Sequence, residues 1–368
     1  MTNIDTLLAQ GGNGTDDMKT GAVVSPLYFS TAYRHPGLGE STGFDYARMN
    51  TPTRSILEEQ LAELEHGRQA FATSSGMAAI DLVFDALIKS GNHFITSDDL
   101  YGGTYRYFDG LVEHNGVTYD VWTDGDDILK LIKPETKLIW IETPSNPTMK
   151  VIDIHWLCET VKAVRPDILV AVDNTFLTPI FQNPIPLGAD IVVHSATKYL
   201  GGHNDILAGV VVAGRDDLAQ KIEDTLVTRG QVLDSFSAWL LLRSLKTLHL
   251  RMARHNENGH FLAEKLASVS GVDHVLYAGL GGMVSFYLSE DYDVDRFLKG
   301  LNICSFAESL GGPETLITIP SVQTHHDMTA EQREKLGITD HLVRVSAGLE
   351  EKHDILDDLV NAIQGARQ

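Results

Sequence analysis

Two side chains near the middle of the sequence carry complementary chemistry. Asp173 closes the apolar run Ile168-Leu169-Val170-Ala171-Val172, and Lys198 lies just past Ile191-Val192-Val193, twenty-five residues further on. A lysine in a desolvated pocket loses basicity and becomes a nucleophile toward a carbonyl. A carboxylate in the same pocket needs a cation beside it. Taken singly, Asp173 reads as a helix N-cap and Lys198 as a solvated surface lysine. Their placement after two consecutive apolar runs argues instead for one shared site.

Further groups point the same way. Ser74-Ser75-Gly76-Met77 precedes a helical pattern over 78–87, and small residues at a helix start leave amides free for an anion. Asp98-Asp99-Leu100-Tyr101-Gly102-Gly103 puts an aromatic ring on what reads as a tight loop, and Thr143-Pro144-Ser145-Asn146-Pro147 follows Ile139–Glu142. Thr175 follows Asp173, and the hydroxyls of Ser195 and Thr197 flank Lys198. A ligand with a carbonyl, a protonated ring nitrogen, a phosphate and a flat face would use them all. Pyridoxal phosphate is such a ligand.

The elements that must position these groups are short apolar runs alternating with helical patterns. Strands are expected at 69–73, 93–96, 117–122, 137–142, 168–173 and 191–194. The continuous apolarity of 168–172 suits a parallel strand covered on both faces. Alternation of this kind predicts a mostly parallel α/β sheet over residues 50–215, with ligands outside the strands' carboxyl ends. Ser55–Glu58 reads as a capping box opening a helix that Gly67 stops. One long helical region is expected from Ser235 to about Ser268, followed by strands at 283–288, 316–319 and 342–346 in a smaller α+β domain.

Bulk properties exclude several classes. At 368 residues, the chain exceeds the size at which one core stops growing. A net charge of −21 disfavours nucleic acid and anionic membrane. No run approaches a membrane span, and the N-terminus lacks a basic segment leading into an apolar one. Cys158 and Cys304 match no metal or redox spacing and read as reduced core thiols, as in a cytoplasm. His325-His326-Asp327 has no second cluster to complete a metal site, so no metal is expected. No G-x-G-x-x-G follows the first strand, which argues against a dinucleotide site.

The sequence resembles the Cys/Met-metabolism family of pyridoxal-phosphate enzymes, which includes cystathionine γ-lyase, cystathionine γ-synthase, cystathionine β-lyase and methionine γ-lyase. The resemblance spans nearly the whole chain. It is carried by YARMNTPTR (46–54), SSGMAA (74–79), DDLYGGTYR (98–106), ETPSNPT (142–148), VDNTF (172–176), HSATKYLGGH (194–203), LKTLHLRMARHNEN (245–258), AESLGG (307–312) and VRVSAGLE (343–350). It implies fold type I: an arm over 1–50 contacting a neighbouring subunit, a cofactor-binding domain over 51–234, and a small domain over 235–368 with a linking helix. It also implies a homotetramer built as a dimer of dimers.

By motif, the resemblance makes Lys198 the covalent tether and the base at Cα and Cβ, and Asp173 the partner of the pyridine nitrogen. Tyr101 would stack on the ring and exchange protons with substrate. Gly76, Met77, Thr175, Ser195 and Thr197 would hold the cofactor, with Tyr46 and Arg48 reaching the phosphate from the neighbour. Arg344, Asn146 and Ser309 would bind the substrate α-carboxylate, and Glu308 the distal ammonium of a sulfur-containing amino acid. Asp45 would add an acid at the pocket mouth. AESLGG looks like γ-lyases and γ-synthases, whereas methionine γ-lyases typically carry cysteine where Gly103 stands. The expected reaction is therefore α,γ-elimination of L-cystathionine to L-cysteine, 2-oxobutyrate and ammonia, with β-elimination on cystathionine or cystine as a side activity. The alternatives are γ-synthase chemistry on O-acyl-homoserine plus cysteine, or β-lyase chemistry. Two segments depart from the family pattern: Asn50-Thr51-Pro52-Thr53, and a short 277–282 connection expected to open the substrate entrance.

Overall fold

The apolar runs are strands. In the computed structural model, which describes residues 2–13, 20–123, 125–326 and 328–368, the first sheet contains Gln69–Thr73 (β1), His93–Ser97 (β2), Thr118–Trp122 (β3), Thr136–Glu142 (β4), Leu169–Asp173 (β5), Ile191–His194 (β6) and Gly209–Ala213 (β7). Their order is β1-β7-β6-β5-β4-β2-β3. Strands β3, β2, β4, β5 and β6 pair in parallel, while β7 runs antiparallel between β6 and β1. No strand is expected from sequence at β7, yet all five of its residues are buried.

Helices Ile4–Gln10 (α1), Pro52–Leu64 (α2), Gly76–Leu87 (α3), Gly102–Asn115 (α4), Ile154–Val164 (α5), Thr178–Phe181 (α6) and Asp216–Arg229 (α7) accompany the sheet. Alternate strand residues feed two cores. Ala70, Ala72, Val192, Val210 and Val212 join Leu57 and Leu61 of α2, whereas Phe71, Val193, Val211 and Ala213 join Val83 and Phe84 of α3. Burial of both faces explains why these strands read as unbroken apolar runs.

Three local expectations are corrected. Helix α2 opens earlier than the Ser55 capping box. Thr51 caps it, accepting from the Arg54 amide at 3.1 Å, and Pro52 takes the first helical position, where its missing N–H costs nothing. The altered Asn50–Thr53 segment is thus a helix start. At the other end His66, not Gly67, takes the left-handed turn (φ +57°), and Gly67 serves close packing instead, since a Cβ there would meet Val212 at 2.2 Å. Tyr101-Gly102-Gly103 is the opening of α4, with Tyr101 at its N-cap. Gly102 is required there because a Cβ would lie 2.0 Å from the Thr324 carbonyl oxygen. The single long helix is two, Ser235–Leu245 (α8) and Leu248–Leu266 (α9). They part where the Ser244 carbonyl accepts from the Thr247 amide and from Arg251.

The second sheet comprises Val272–Tyr277 (β8), Met283–Leu288 (β9), Ser305–Phe306 (β10), Leu316–Thr318 (β11) and Leu342–Ser346 (β12), ordered β10-β11-β12-β9-β8. Val294–Gly300 (α10), Ala330–Leu336 (α11) and Lys352–Gly365 (α12) complete the chain. Leu262, Phe286, Phe297, Val343, Val345 and Leu359 belong to a separate core. The 277–282 connection turns between β8 and β9 against α9, where the Gly281 amide donates to Asn256, and it lines no wall of the cleft described below.

Within the expected arm, α1 packs on its own chain through Leu8, fully buried beside Leu57. Residues 14–19 and Asp327 lie outside the described residues. The stretch from 20 to 50 exposes Val23, Phe29 and Leu38. Among the described residues no helix is long and apolar enough to cross a membrane, and no group of His, Cys, Asp and Glu is arranged to hold a metal.

Candidate active site

The carboxyl ends of β1, β2, β4, β5 and β6 open into one cleft of about 210 Å³, closed on its far side by Ser309 and Arg344 from the second sheet's side of the molecule. Every expected site residue lines it except Asp45, Tyr46 and Arg48.

One end of the cleft is built for an anion. Ser75 caps α3 by accepting from the Ala78 amide at 3.0 Å, which leaves the first-turn amides of Gly76 and Met77 without a helical carbonyl to bond. Gly76 has no alternative, because a Cβ would stand 2.7 Å from that of Ser195. The Thr175 hydroxyl accepts from the Ser195 amide at 2.8 Å and so fixes the turn leading to Lys198. Thr197 also lines the cleft. Its hydroxyl donates to the Ala208 carbonyl at 3.1 Å and accepts from the Ala208 amide at 3.0 Å. These two bonds tie the Lys198 segment to the residue that leads into β7.

At the other end two carboxylates face each other across adjacent strands, since Glu142 of β4 pairs in register with Asp173 of β5. Asp173 accepts from the Thr175 amide at 2.9 Å. Glu142, buried at 6% exposure, accepts from the Tyr101 amide at 2.7 Å and the Thr104 hydroxyl at 2.8 Å. Burial raises the proton affinity of both, and Asp173 adds repulsion that takes Glu142 up to about 8. Among the described residues neither has a lysine or arginine partner. A protonated ring nitrogen would supply the missing cation. Together with the glycine-lined anion cup, this pair fits pyridoxal phosphate.

The pair has a consequence for stability. A carboxyl whose proton affinity is higher in the folded state contributes stability that is full below its ordinary range and lost as pH rises through the folded value. Melting temperature of the cofactor-free chain is thus expected to fall between about pH 5 and 8, less steeply in Glu142→Gln. A calorimetric pH series would show it, and parallel curves for the two proteins would contradict it.

Lys198 lies partly buried, and its Nζ donates to the Ser309 hydroxyl at 2.9 Å. Burial, reinforced by the Arg344 charge, lowers its pKa to about 8, so a minor neutral fraction is present near physiological pH and grows as pH rises toward 8. Its segment is clamped from behind. Arg251 of α9 donates to the carbonyls of Tyr199 at 2.7 Å and Ser244 at 3.0 Å, passing over Gly202, where a Cβ would stand 2.0 Å from the guanidinium.

Arg344 sits mid-strand in β12 at 1% exposure. It donates to Asn146 Oδ1 at 2.9 Å, to the Ser309 carbonyl at 3.0 Å and to Thr318 Oγ1 at 3.0 Å. Its Nε has no partner, and no carboxylate among the described residues pairs with it. Burial lowers even this guanidinium to about 10. A buried fork of this kind awaits a carboxylate. Ser309, which touches both Arg344 and Lys198, adopts φ of +105°, a strained backbone for a residue with a Cβ and one found disproportionately at functional sites. Glu308 beside it is exposed at the mouth.

Tyr101 presents its ring to the cleft at 40% exposure. A Cβ on Gly103 would stand 2.5 Å from that ring and 3.2 Å from Met77 Sδ. Gly103→Ala is therefore expected to displace Tyr101 and lower kcat/KM about tenfold to a hundredfold with little change in melting temperature. Steady-state kinetics beside a melting curve would test this, and unchanged kinetics would refute it.

Tyr46 and Arg48 lie outside the chain's own cleft. Both are exposed, with the Arg48 guanidinium 5.6 Å from the Tyr46 ring and donating to the Val227 carbonyl. Asp45 is likewise remote, accepting from the Ser41 hydroxyl at 2.5 Å. Two residues that matter were missed from sequence, Glu142 and Arg251, although both stand inside the quoted motifs. A terminal Glu on the strand preceding Asp173 was the available signal for the first.

Comparison with known proteins agrees with this geometry. The family model described as "Cys/Met metabolism PLP-dependent enzyme" matches residues 5–364. The chain is 48% identical to a cystathionine γ-synthase/O-acetylhomoserine (thiol)-lyase of Bacillus subtilis, over 98% of this chain and 96% of that protein. It is 44% identical to a cystathionine β-lyase of Lactococcus lactis, over 99% and 100%. Among solved structures, a cystathionine γ-lyase of Lactobacillus plantarum complexed with L-serine superposes with a TM-score of 0.95 at 36% identity, covering 99% of each chain.

Proposed function

The chain belongs to the Cys/Met metabolism family of pyridoxal-phosphate-dependent enzymes, and from that premise we propose that it makes and breaks the Cγ–S bond of L-cystathionine. The observation that carries this reading is the shared anchor at Ser309. Its hydroxyl holds Lys198 Nζ at 2.9 Å and its carbonyl holds Arg344 at 3.0 Å. An amino acid whose α-carboxylate lies on Arg344 would therefore present Cα to Lys198.

Bound between Asp173 and the Gly76–Met77 amides, pyridoxal phosphate supplies a carbonyl for the substrate's amino group and a ring that accepts electron density from Cα. The chain's own groups do the rest. Arg344 and Asn146 orient the carboxylate. Lys198 Nζ removes the Cα proton and then serves Cβ, its lowered basicity giving it a neutral form near pH 8. The Tyr101 hydroxyl exchanges a proton with the group leaving or attacking Cγ. Glu308 at the mouth faces the distal ammonium of cystathionine.

For the net reaction we place γ-replacement first: cysteine sulfur displaces the acyl carboxylate from Cγ of an O-acyl-homoserine, giving cystathionine and the free acid. The 48% identity to a γ-synthase supports this order. Elimination of L-cystathionine to L-cysteine, 2-oxobutyrate and ammonia is the second reading, supported by the close superposition on a γ-lyase. We also assign Tyr46, Arg48 and the exposed 20–50 stretch to a neighbouring subunit in a homotetramer. Incubating purified enzyme with O-acyl-homoserine plus cysteine, and separately with cystathionine, decides between the readings. Cystathionine as the dominant product supports replacement, and 2-oxobutyrate from cystathionine alone supports elimination. Homocysteine and pyruvate as the only products would overturn both.

A further inference from the structure

Glu142 lies in the cleft with no role in the steps above, and its surroundings are specific. It ends β4 one strand from Asp173, and its two oxygens accept from the Tyr101 amide at 2.7 Å and the Thr104 hydroxyl at 2.8 Å. Tyr101 caps α4 without any side-chain hydrogen bond of its own, so the Glu142 carboxylate takes the place of a cap on that helix's first free amide. Facing Glu142 are Asp173 from β5, Asp99 from the segment after β2, and Tyr101 and Tyr105 from the start of α4. Lys198 and Arg344, the cations of the cleft, line it elsewhere.

We propose that Glu142 is a positioning residue for the cofactor: its oxygens hold Tyr101 and Thr104 at the head of α4, while its charge reinforces Asp173 in keeping the pyridine nitrogen protonated. Two carboxylates set side by side repel each other, and their burial makes that arrangement costly unless a cation stands against them. A pyridinium is such a cation, and with it in place both carboxylates ionise. A single aspartate would bind the same nitrogen. The second carboxylate deepens the negative potential there, so the proton is retained to higher pH. The inference rests on cofactor binding and is independent of which Cγ reaction the enzyme runs.

The test is a pH titration of the visible absorption of the holoenzyme loaded with pyridoxal phosphate. Glu142→Gln keeps the shape and an acceptor for the Tyr101 amide but removes the charge. Its alkaline midpoint is expected about one pH unit below that of the parent, with roughly tenfold weaker retention of the cofactor. Glu142→Asp restores the charge on a shorter arm and is expected to return the midpoint toward the parent value. Midpoints that coincide in all three proteins would overturn the proposal, since a purely structural role changes melting temperature and turnover but not this titration. If E142Q fails to load, Thr104→Val decides. It strips one hydrogen bond from the same carboxylate, favouring its neutral form, so a downward midpoint supports the proposal and an unmoved one refutes it. A visible band in the parent enzyme establishes cofactor binding separately, so failure of that reading cannot be confused with failure of this one.

Discussion

Lys198→Ala is expected to lower kcat by at least ~10⁴-fold and to abolish the borohydride-sensitive visible absorption of the loaded protein. The size follows from the lysine's proposed role as covalent tether and from its being the only amine among the residues lining the cleft. No neighbour can substitute: Arg344 stays protonated even at its lowered value of about 10, and the Ser309 hydroxyl is only an acceptor for Nζ. Folding should not suffer. The native site holds this lysine with its charged form disfavoured by burial, so the truncation removes a destabilising group, and melting temperature is expected to hold or rise near pH 7. Residual turnover within tenfold of the parent would rule out the assigned role.

The second large effect belongs to Arg344. Arg344→Ala is expected to lower kcat/KM by ~10²–10³-fold, mostly through KM, because a bidentate hydrogen-bonded charge contact is lost. Part of the cost is internal. Asn146 Oδ1, the Ser309 carbonyl and Thr318 Oγ1 each lose a donor at a buried position, at roughly 1–3 kcal/mol for each group left unpaired. A loss of folding alone could mimic a weaker enzyme, so the decisive measurement is discrimination. The parent should strongly prefer the amino acid over the amine that lacks its carboxylate, and in the variant that preference should collapse while cofactor absorbance persists. Arg344→Lys keeps the charge but not the planar fork, and is expected to recover only part of the loss. Undiminished discrimination in Arg344→Ala would remove Arg344 from the carboxylate site.

The geometry of these sites was unevenly legible. Runs such as Ile191–Val193 and Leu169–Val172 announced buried parallel strands by composition, and consecutive parallel strands put Asp173 and Lys198 at neighbouring tips. The start of α3 was equally plain, because Ser75 and Gly76 are local signals of a cap and a close approach. Strand β7 escaped notice although it is as apolar as its neighbours, since it follows β6 with no helix between them and so falls outside the strand–helix alternation. Tyr101 does precede the helix, but the start of α4 at Gly102 was not foreseen, because Gly-Gly normally weakens a helix. Here its first glycine is demanded by the Thr324 carbonyl, more than two hundred residues later in the chain. The two bonds between the Thr197 hydroxyl and the Ala208 backbone were likewise not legible, because only the placement of β7 brings that backbone within reach.

By itself, then, the sequence determined the α/β class, most strand positions and the set of groups able to hold a phosphate, a ring and a carbonyl. Each of these depends on side-chain periodicity or cap chemistry within a few residues. The tertiary structure alone decided the electrostatic state of those groups. Lys198 meets Ser309 across 111 residues and Arg344 meets Asn146 across 198. Glu142 and Asp173 become a mutually repelling pair only because β4 lies beside β5. Desolvation and charge coupling are set by whatever surrounds a group in space, and no local pattern encodes those distances.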